Sequence, residues 1–386
     1  MSGRVLVLGT ESAGAMAARV VSRFEAVSGL IVADLEENEA ARIALSCRPG
    51  AEAAAVDLAD EAAVAALLGR ADLVVNCAGP SSRRAPAILR AAIEAGTDYI
   101  DICDAPGPTR DMLDLDAAAR RAGVSAVVGM GASPGLANLL AACAVSRLDR
   151  VDRLVAGRNI EEDGDALACR AAVVRLLGQC SGAIPERRHG EPVEGPALAD
   201  VPIDYPGRGR RSLYAVGHPG AVSFPLSWPE VREARCGLVM PAAWSVLFRR
   251  LRDAVDAGAM TVDEAAGELV GNASGAGWLE ALVTALSHLT DGPRLPLLFA
   301  LAEGERDGKK RAVAASLAAA PPDAACMTGV PPALGALLLL RGQVPGPGVM
   351  APEQAFEPEA FFRLFAPYCT LPGPCPAERL VALAEA

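Results

Sequence analysis

An α/β protein with a doubly wound parallel sheet, joined to a second α+β domain with a mixed sheet, is predicted by three observations. Short apolar runs recur as strands buried on both faces, helical stretches alternate with them, and small-residue loops follow the strands. The first run, Val5 to Leu8, is broken by Gly9 and leads into a helix through Gly9-Thr10-Glu11-Ser12-Ala13-Gly14. This is the place of a G-x-G-x-x-G dinucleotide fingerprint. The first and third glycines are present, and Glu11 stands where the second lets a backbone approach a pyrophosphate.

The elements continue in order. Leu30 to Ala33 is a second buried strand, and Asp34 ends it 20 residues past Gly14, where a carboxylate accepts from a ribose 2'-hydroxyl and disfavours a 2'-phosphate. Arg42 stands a helical stretch too far on to bind that phosphate. A short strand over Ala53 to Asp57 places Asp57 and Leu58 at an adenine-contacting position. The strand Ala71 to Ala78 enters a small-residue loop, making Asn76, Ala78, Gly79 and Pro80 cofactor-side candidates. A helix over Pro86 to Gly96 precedes the strand Asp98 to Asp104, whose C-terminal end carries Asp101 and Asp104. A helix from Asp111 to Ala122 and a strand from Ala126 to Met130 complete the first sheet. The turn Gly131-Ala132-Ser133-Pro134-Gly135 then starts a helix over Leu136 to Val145, whose free N–H groups suit a carboxylate.

Composition narrows the function. The 386 residues allow two domains, and with 52% hydrophobic residues and a mean hydropathy of +0.27 a well-buried globular protein is expected. A net charge of -11 argues against a nucleic-acid partner. No apolar run approaches a membrane span, and the chain opens from Met1 directly into a strand without a secretory leader pattern, so a cytoplasmic protein is expected. The 10 cysteines are scattered and read as free thiols, and no metal-ligand spacing appears, Cys369 and Cys375 included.

Four stretches resemble the saccharopine dehydrogenase family, with its lysine 6-dehydrogenase and carboxynorspermidine dehydrogenase relatives. They are the opening βα unit, VVNCAGP, AAIEAGTDYIDIC and, most specifically, GMGASPGLANLLA. Further on, LYAVGHPGAVSFP looks like the family's His-containing substrate-domain strand, and TGVPPALGALLLLRGQ with GVMAPE like its closing helix and loop. The resemblance covers most of the chain and departs from the family pattern at Glu11. It implies a Rossmann domain over 1–133, a substrate and oligomerisation domain over 134–326, and a segment over 327–386 that returns to the first domain. It also implies a nicotinamide enzyme acting at a carbon–nitrogen bond of an amino-acid or polyamine-like substrate, as a homodimer. NAD is the expected cofactor, ahead of NADP.

In the second domain the sequence predicts a strand over Arg153 to Asn159, an amphipathic helix over Asp165 to Gly178, and a helix to Val270 opened by a capping box at Thr261 and Glu264. A helix over Trp278 to Leu289 follows. Strands over Leu295 to Ala302 and Arg311 to Leu317 would turn at Asp307-Gly308. Amine oxidation leaves a proton to be removed, so a base is needed within hydrogen-bond reach. Of three histidines, His189 and His288 read as structural, whereas His218 sits in a Gly-His-Pro-Gly loop between apolar strands, where an imidazole can reach substrate. Asp101 and Asp104 are the other proton-transfer candidates, and Ser133, Pro134, Gly135, Asn138 and His218 the substrate-side ones. Lys309 and Lys310 flank a turn and read as solvated. The alternative reading is a family member without redox turnover, using the cleft for binding or for a non-redox condensation or cyclisation. Glu11 motivates it, because its charge opposes a pyrophosphate.

Overall fold

The computed structural model describes residues 2–48, 50–79, 81–162, 170–273, 294–370 and 376–386. Pro80, Cys169, Cys375, His288 and the helix expected over Trp278 to Leu289 lie outside the described residues. The chain forms two compact units, 1–139 with 319–380, and 140–318 with 381–386.

In the first unit, β1 (Gly3–Leu8), β2 (Val27–Asp34), β3 (Glu52–Ala55), β4 (Leu73–Asn76), β5 (Asp98–Asp101) and β6 (Ser125–Val127) form a parallel sheet. Its spatial order is β6-β5-β4-β1-β2-β3, with the strand Gly348–Met350 added in parallel beside β6. Strand order reverses between β1 and β4, and an open α/β sheet binds its ligand at that crevice. Helices α1 (Ser12–Val21), α2 (Glu37–Leu45), α3 (Glu61–Leu68) and α4 (Ser81–Ala95) make the crossovers between the first strands. Val5 to Val7 and Leu73 to Val75 are fully buried because helices cover both faces of the sheet.

Between β5 and β6 the single helix expected over Asp111 to Ala122 is two. These are α5 (Pro106–Leu113) and α6 (Asp116–Ala122), parted at Asp114 and Leu115. The chain turns there because Asp116 accepts the backbone N–H of Val349 at 3.0 Å, tying the start of α6 to the added strand. Helix α7 (Leu136–Val145) follows the loop after β6. The helix Ala324–Leu340 is buried along most of its length and lies against α1. A Cβ on its Gly329 would stand 2.2 Å from the carbonyl of Ala13. The apolar run Ala336 to Leu340 is therefore core, and among the described residues no helix is long and apolar enough to cross a membrane.

The second unit is built on a nine-stranded mixed sheet. Its central strand Arg150–Asn159 pairs in parallel with Glu233–Val239 and antiparallel with Leu298–Arg306. The hairpin of Leu298–Arg306 with Lys309–Leu317 turns at Asp307 and Gly308, both at positive φ, as a type I' turn requires. His189 likewise sits at positive φ in a hairpin turn before Gly190. The expected capping box is present: Thr261 N–H donates to Glu264 at 2.7 Å and Glu264 N–H donates back to the Thr261 hydroxyl at 3.1 Å. One reading changes. The segment after His218 is the helix Gly220–Ser227 and not a second strand, because Pro219 takes an αR conformation at its start. The eight described cysteines are free thiols.

Candidate functional site

At the C-terminal edge of the first sheet, where strand order reverses, lies a cavity of about 490 Å³. Gly9 makes its floor possible. Its φ is +88°, and a Cβ would stand 2.5 Å from the Cα of Ala78, so only glycine lets β1 and β4 close together here. Gly14 serves the same approach one turn on, since a Cβ there would meet the carbonyl of Gly9 at 2.0 Å. The two glycines that are present thus do what a dinucleotide turn needs of them: a tight turn and close packing of helix on strand.

Seven of the expected cofactor residues line this cavity: Gly9, Glu11, Asp34, Asp57, Leu58, Ala78 and Gly79. Asp34 is held in place, because its Oδ2 accepts from both the backbone N–H and the hydroxyl of Thr10, each at 2.7 Å. Thr10 therefore acts as an orienting residue behind the wall. Asp57 accepts the N–H of Ala59 at 2.8 Å and so shapes the turn that presents Leu58. Arg42 is ion-paired with Glu39 on the same helix at 2.6 Å.

Ser12, Ala13, Gly14 and Asn76 do not line the cavity. The Asn76 expectation needs correcting in its geometry. Its side chain is buried, Nδ2 donates to the Tyr99 hydroxyl at 3.0 Å, and Oδ1 accepts the N–H of Ala78 at 3.2 Å, so it shapes the loop from beneath. Glu11 shows why its position matters. The side chain makes no cap for α1, and a Cβ on Gly79 would lie 3.3 Å from Glu11 Oε2, so the carboxylate crosses from the β1 turn to the β4 loop. Two arginines that sequence reasoning passed over, Arg83 and Arg84, also line the cavity, as does Glu36. The available signal was the basic pair of SSRR directly after a strand-end loop.

The neighbouring strand end is closed. Asp101 is 0% exposed, and its carboxylate accepts from the Tyr99 hydroxyl at 2.8 Å, Gly129 N–H at 2.7 Å and Cys103 N–H at 3.1 Å. Burial pushes its carboxyl up to about 6, against the pull of those three donors, and nearby Asp104 adds to the rise. Burial and the Asp101 charge together push the Cys77 thiol up to about 12. Asp104 is half-buried just beyond.

In the loop after β6, Gly135 has a φ of +114°, and a Cβ there would meet the carbonyl of Gly131 at 2.0 Å. Asn138 is buried, accepts the N–H of Gly135 at 3.0 Å, and donates to Glu353 at 2.7 Å. Ser133 is half-buried, and the Ser133–Pro134 peptide is cis. In the second unit, His218 is 4% exposed and its Nδ1 accepts the N–H of Gly220 at 3.0 Å.

The first unit has a Rossmann-type fold with a cavity at the strand-order reversal, and the second unit is built on a mixed sheet. Asp34, Asp57 and Leu58 form one stretch of the cavity wall, and Glu11 lies on the wall beside the turn after β1. Residues 5–127 match the family model of the saccharopine dehydrogenase NADP binding domain. Over those residues the first domain is thus similar to that NADP binding domain, in agreement with the resemblance drawn from the sequence.

Solved structures agree on the fold. Saccharopine dehydrogenase (L-Glu forming) of Saccharomyces cerevisiae is 17% identical with a TM-score of 0.63, over 100% of this chain and 99% of that one. The homospermidine synthase of Legionella pneumophila, solved with NAD, is 11% identical with a TM-score of 0.59, over 100% of this chain and 91% of that one.

Proposed function

We propose that this protein is an NAD(P)-dependent oxidoreductase of the saccharopine dehydrogenase type. It transfers hydride at a carbon–nitrogen bond of an amino-acid or polyamine-like substrate, oxidising an amine or reducing an imine. The observation that carries the reading is the cavity at the strand-order reversal, with Asp34 held by Thr10 where a ribose hydroxyl would donate. The names of the yeast and Legionella proteins, a saccharopine dehydrogenase and a homospermidine synthase, support the substrate class. When bound, the nicotinamide cofactor supplies or accepts the hydride. The first unit's residues bind and orient it, with Asp104 the candidate there to move the proton, and His218 is the second unit's own candidate for that role. Asp101 acts from beneath as a positioning residue, because its carboxylate is enclosed. Ser133, Pro134, Gly135 and Asn138 form the substrate-side loop in this reading. The family resemblance extends the reading to a homo-oligomer, a dimer, and the reading places the protein in the cytoplasm.

NAD is the favoured cofactor. Glu11, Asp34, Glu36 and Asp57 face the cavity against Arg83 and Arg84, so a 2'-phosphate would enter a wall with an excess of carboxylates. Titration with NADH and NADPH, followed by nicotinamide fluorescence, tests both statements. Failure of both to bind at millimolar concentration overturns the oxidoreductase reading. Tighter binding of NADPH overturns the NAD preference alone.

The position of the Glu11 carboxylate beside Gly79 favours a second reading, in which the family site binds ligand without redox turnover. Substrate-type ligands would then bind while no hydride exchanges between labelled NADH and any amine or imine.

A further inference from the structure

Among the six charged groups on the cavity wall, three are committed to the protein: Asp34 to Thr10, Asp57 to Ala59, and Arg84, whose Nη1 donates to the carbonyl of Leu58 at 3.1 Å. The side chains of Glu11 and Arg83 make no hydrogen bond or ion pair among the described residues. Glu36, just beyond β2, is likewise without one, whereas Glu11 and Arg83 belong to the two loops that a dinucleotide spans. Glu11 starts α1 and reaches Gly79 in the β4 loop, and Arg83 lies four residues beyond Gly79 in the first turn of α4.

A diphosphate on this fold normally rests on the glycine turn after β1 and the N-terminus of α1. Here a carboxylate crosses that path, and two like charges at contact distance repel. Binding needs a cation close by, and the wall offers two. Arg84 is turned to the Asp57–Leu58 corner, the nucleoside end. Arg83, about 100° further round the helix, remains. The N-terminal end of α4 adds partial positive charge in the same place.

We propose that Arg83 holds the diphosphate of the dinucleotide, and so supplies the anion site that Glu11 removes from the turn after β1. The inference rests on the dinucleotide reading above. A guanidinium can grip two phosphate oxygens with parallel N–H donors, which a lysine cannot reproduce. Glu11 then sets the strength of the site, opposing what Arg83 attracts.

Calorimetry on the full chain with ADP-ribose, which contains the diphosphate, and adenosine, which lacks it, tests the assignment. Arg83→Ala should weaken ADP-ribose about tenfold and move adenosine by less than about twofold. Arg83→Lys should fall between wild type and Arg83→Ala, because it keeps the charge and loses the fork. Glu11→Gly should tighten ADP-ribose and shrink the cost of Arg83→Ala, since the turn then regains its own anion site. Equal ADP-ribose affinity in Arg83→Ala and wild type overturns the proposal and leaves the dinucleotide reading standing. So does a loss confined to NADPH with NADH unchanged, which would place Arg83 at a 2'-phosphate. Absence of ADP-ribose, NADH and NADPH binding to the wild type overturns the dinucleotide reading itself. Because Arg83 is exposed, an unchanged melting temperature certifies the variant's fold.

Discussion

Two neighbouring strand ends on one sheet edge, after β1 and after β5, are built in opposite ways. After β1 the chain presents charges outward: Glu11 is exposed and uncapping, and it reaches across to Gly79, its side chain making no hydrogen bond among the described residues. After β5 the chain folds its charge inward, with Asp101 meeting three donors inside the core. A carboxylate with its own donors stabilises a loop, whereas one without them is available to a ligand or in its way. The first arrangement should matter to binding and little to stability, the second the reverse.

The largest expected effect breaks the closed end. Asp101→Ala leaves the Tyr99 hydroxyl and two backbone N–H groups buried without an acceptor, and should cost about 4 kcal/mol in chemical denaturation at neutral pH. A loss under about 1 kcal/mol would mean that the network does not hold the loop.

Next is pH. The folded-state carboxyl of Asp101 is raised to about 6 from an ordinary value near 3.8, so the folded protein binds this proton more tightly than the unfolded chain. Its contribution is therefore fully present below about pH 4 and is lost as pH rises through 6, a change of about 3 kcal/mol. Stability followed between pH 4 and 7 should show this fall, superposed on other groups, in the wild type. The difference curve against Asp101→Asn isolates it, and parallel curves for the two proteins would refute the linkage.

Thr10→Val sharpens the comparison from the other side. It removes one of two donors to Asp34 while keeping shape, so about 1 kcal/mol of stability should go and NADH should bind more weakly. A change in stability with no change in NADH affinity would remove Asp34 from the cofactor site. The smallest stability effect is Glu11→Gln, within about 0.5 kcal/mol, because the side chain is exposed and caps nothing. The same substitution should tighten ADP-ribose. If it instead destabilises the fold by 2 kcal/mol or more, the two strand ends are not the different devices described here.

Much of the fold was legible in the chain because it is written locally. Apolar runs such as Val5 to Leu8, the glycine turn, the Thr261 to Glu264 box and the Asp307-Gly308 hairpin each depend on residues a few positions apart. The seven wall residues from Gly9 to Gly79 were legible for the same reason, as they occupy the ends of recognisable strands. What the sequence by itself determined, then, is the strand-and-helix rhythm, the reversal crevice that follows from it, and the identity of the residue that breaks the fingerprint.

Tertiary structure decided the rest, because it turns on through-space neighbours far apart in the chain. The strand Gly348–Met350 joins β6 although some 220 residues separate them. Asn76, Tyr99 and Asp101 become one buried network only when β4 and β5 pair, which turns two expected site residues into supports. Pro219 and the buried setting of His218 make a helix start of what local pattern reads as a strand. Glu11 meets Gly79, and Arg83 joins the same wall, because β1 and β4 lie side by side in the sheet. Local pattern fixes where a loop is, and only packing fixes which side chains face each other across it.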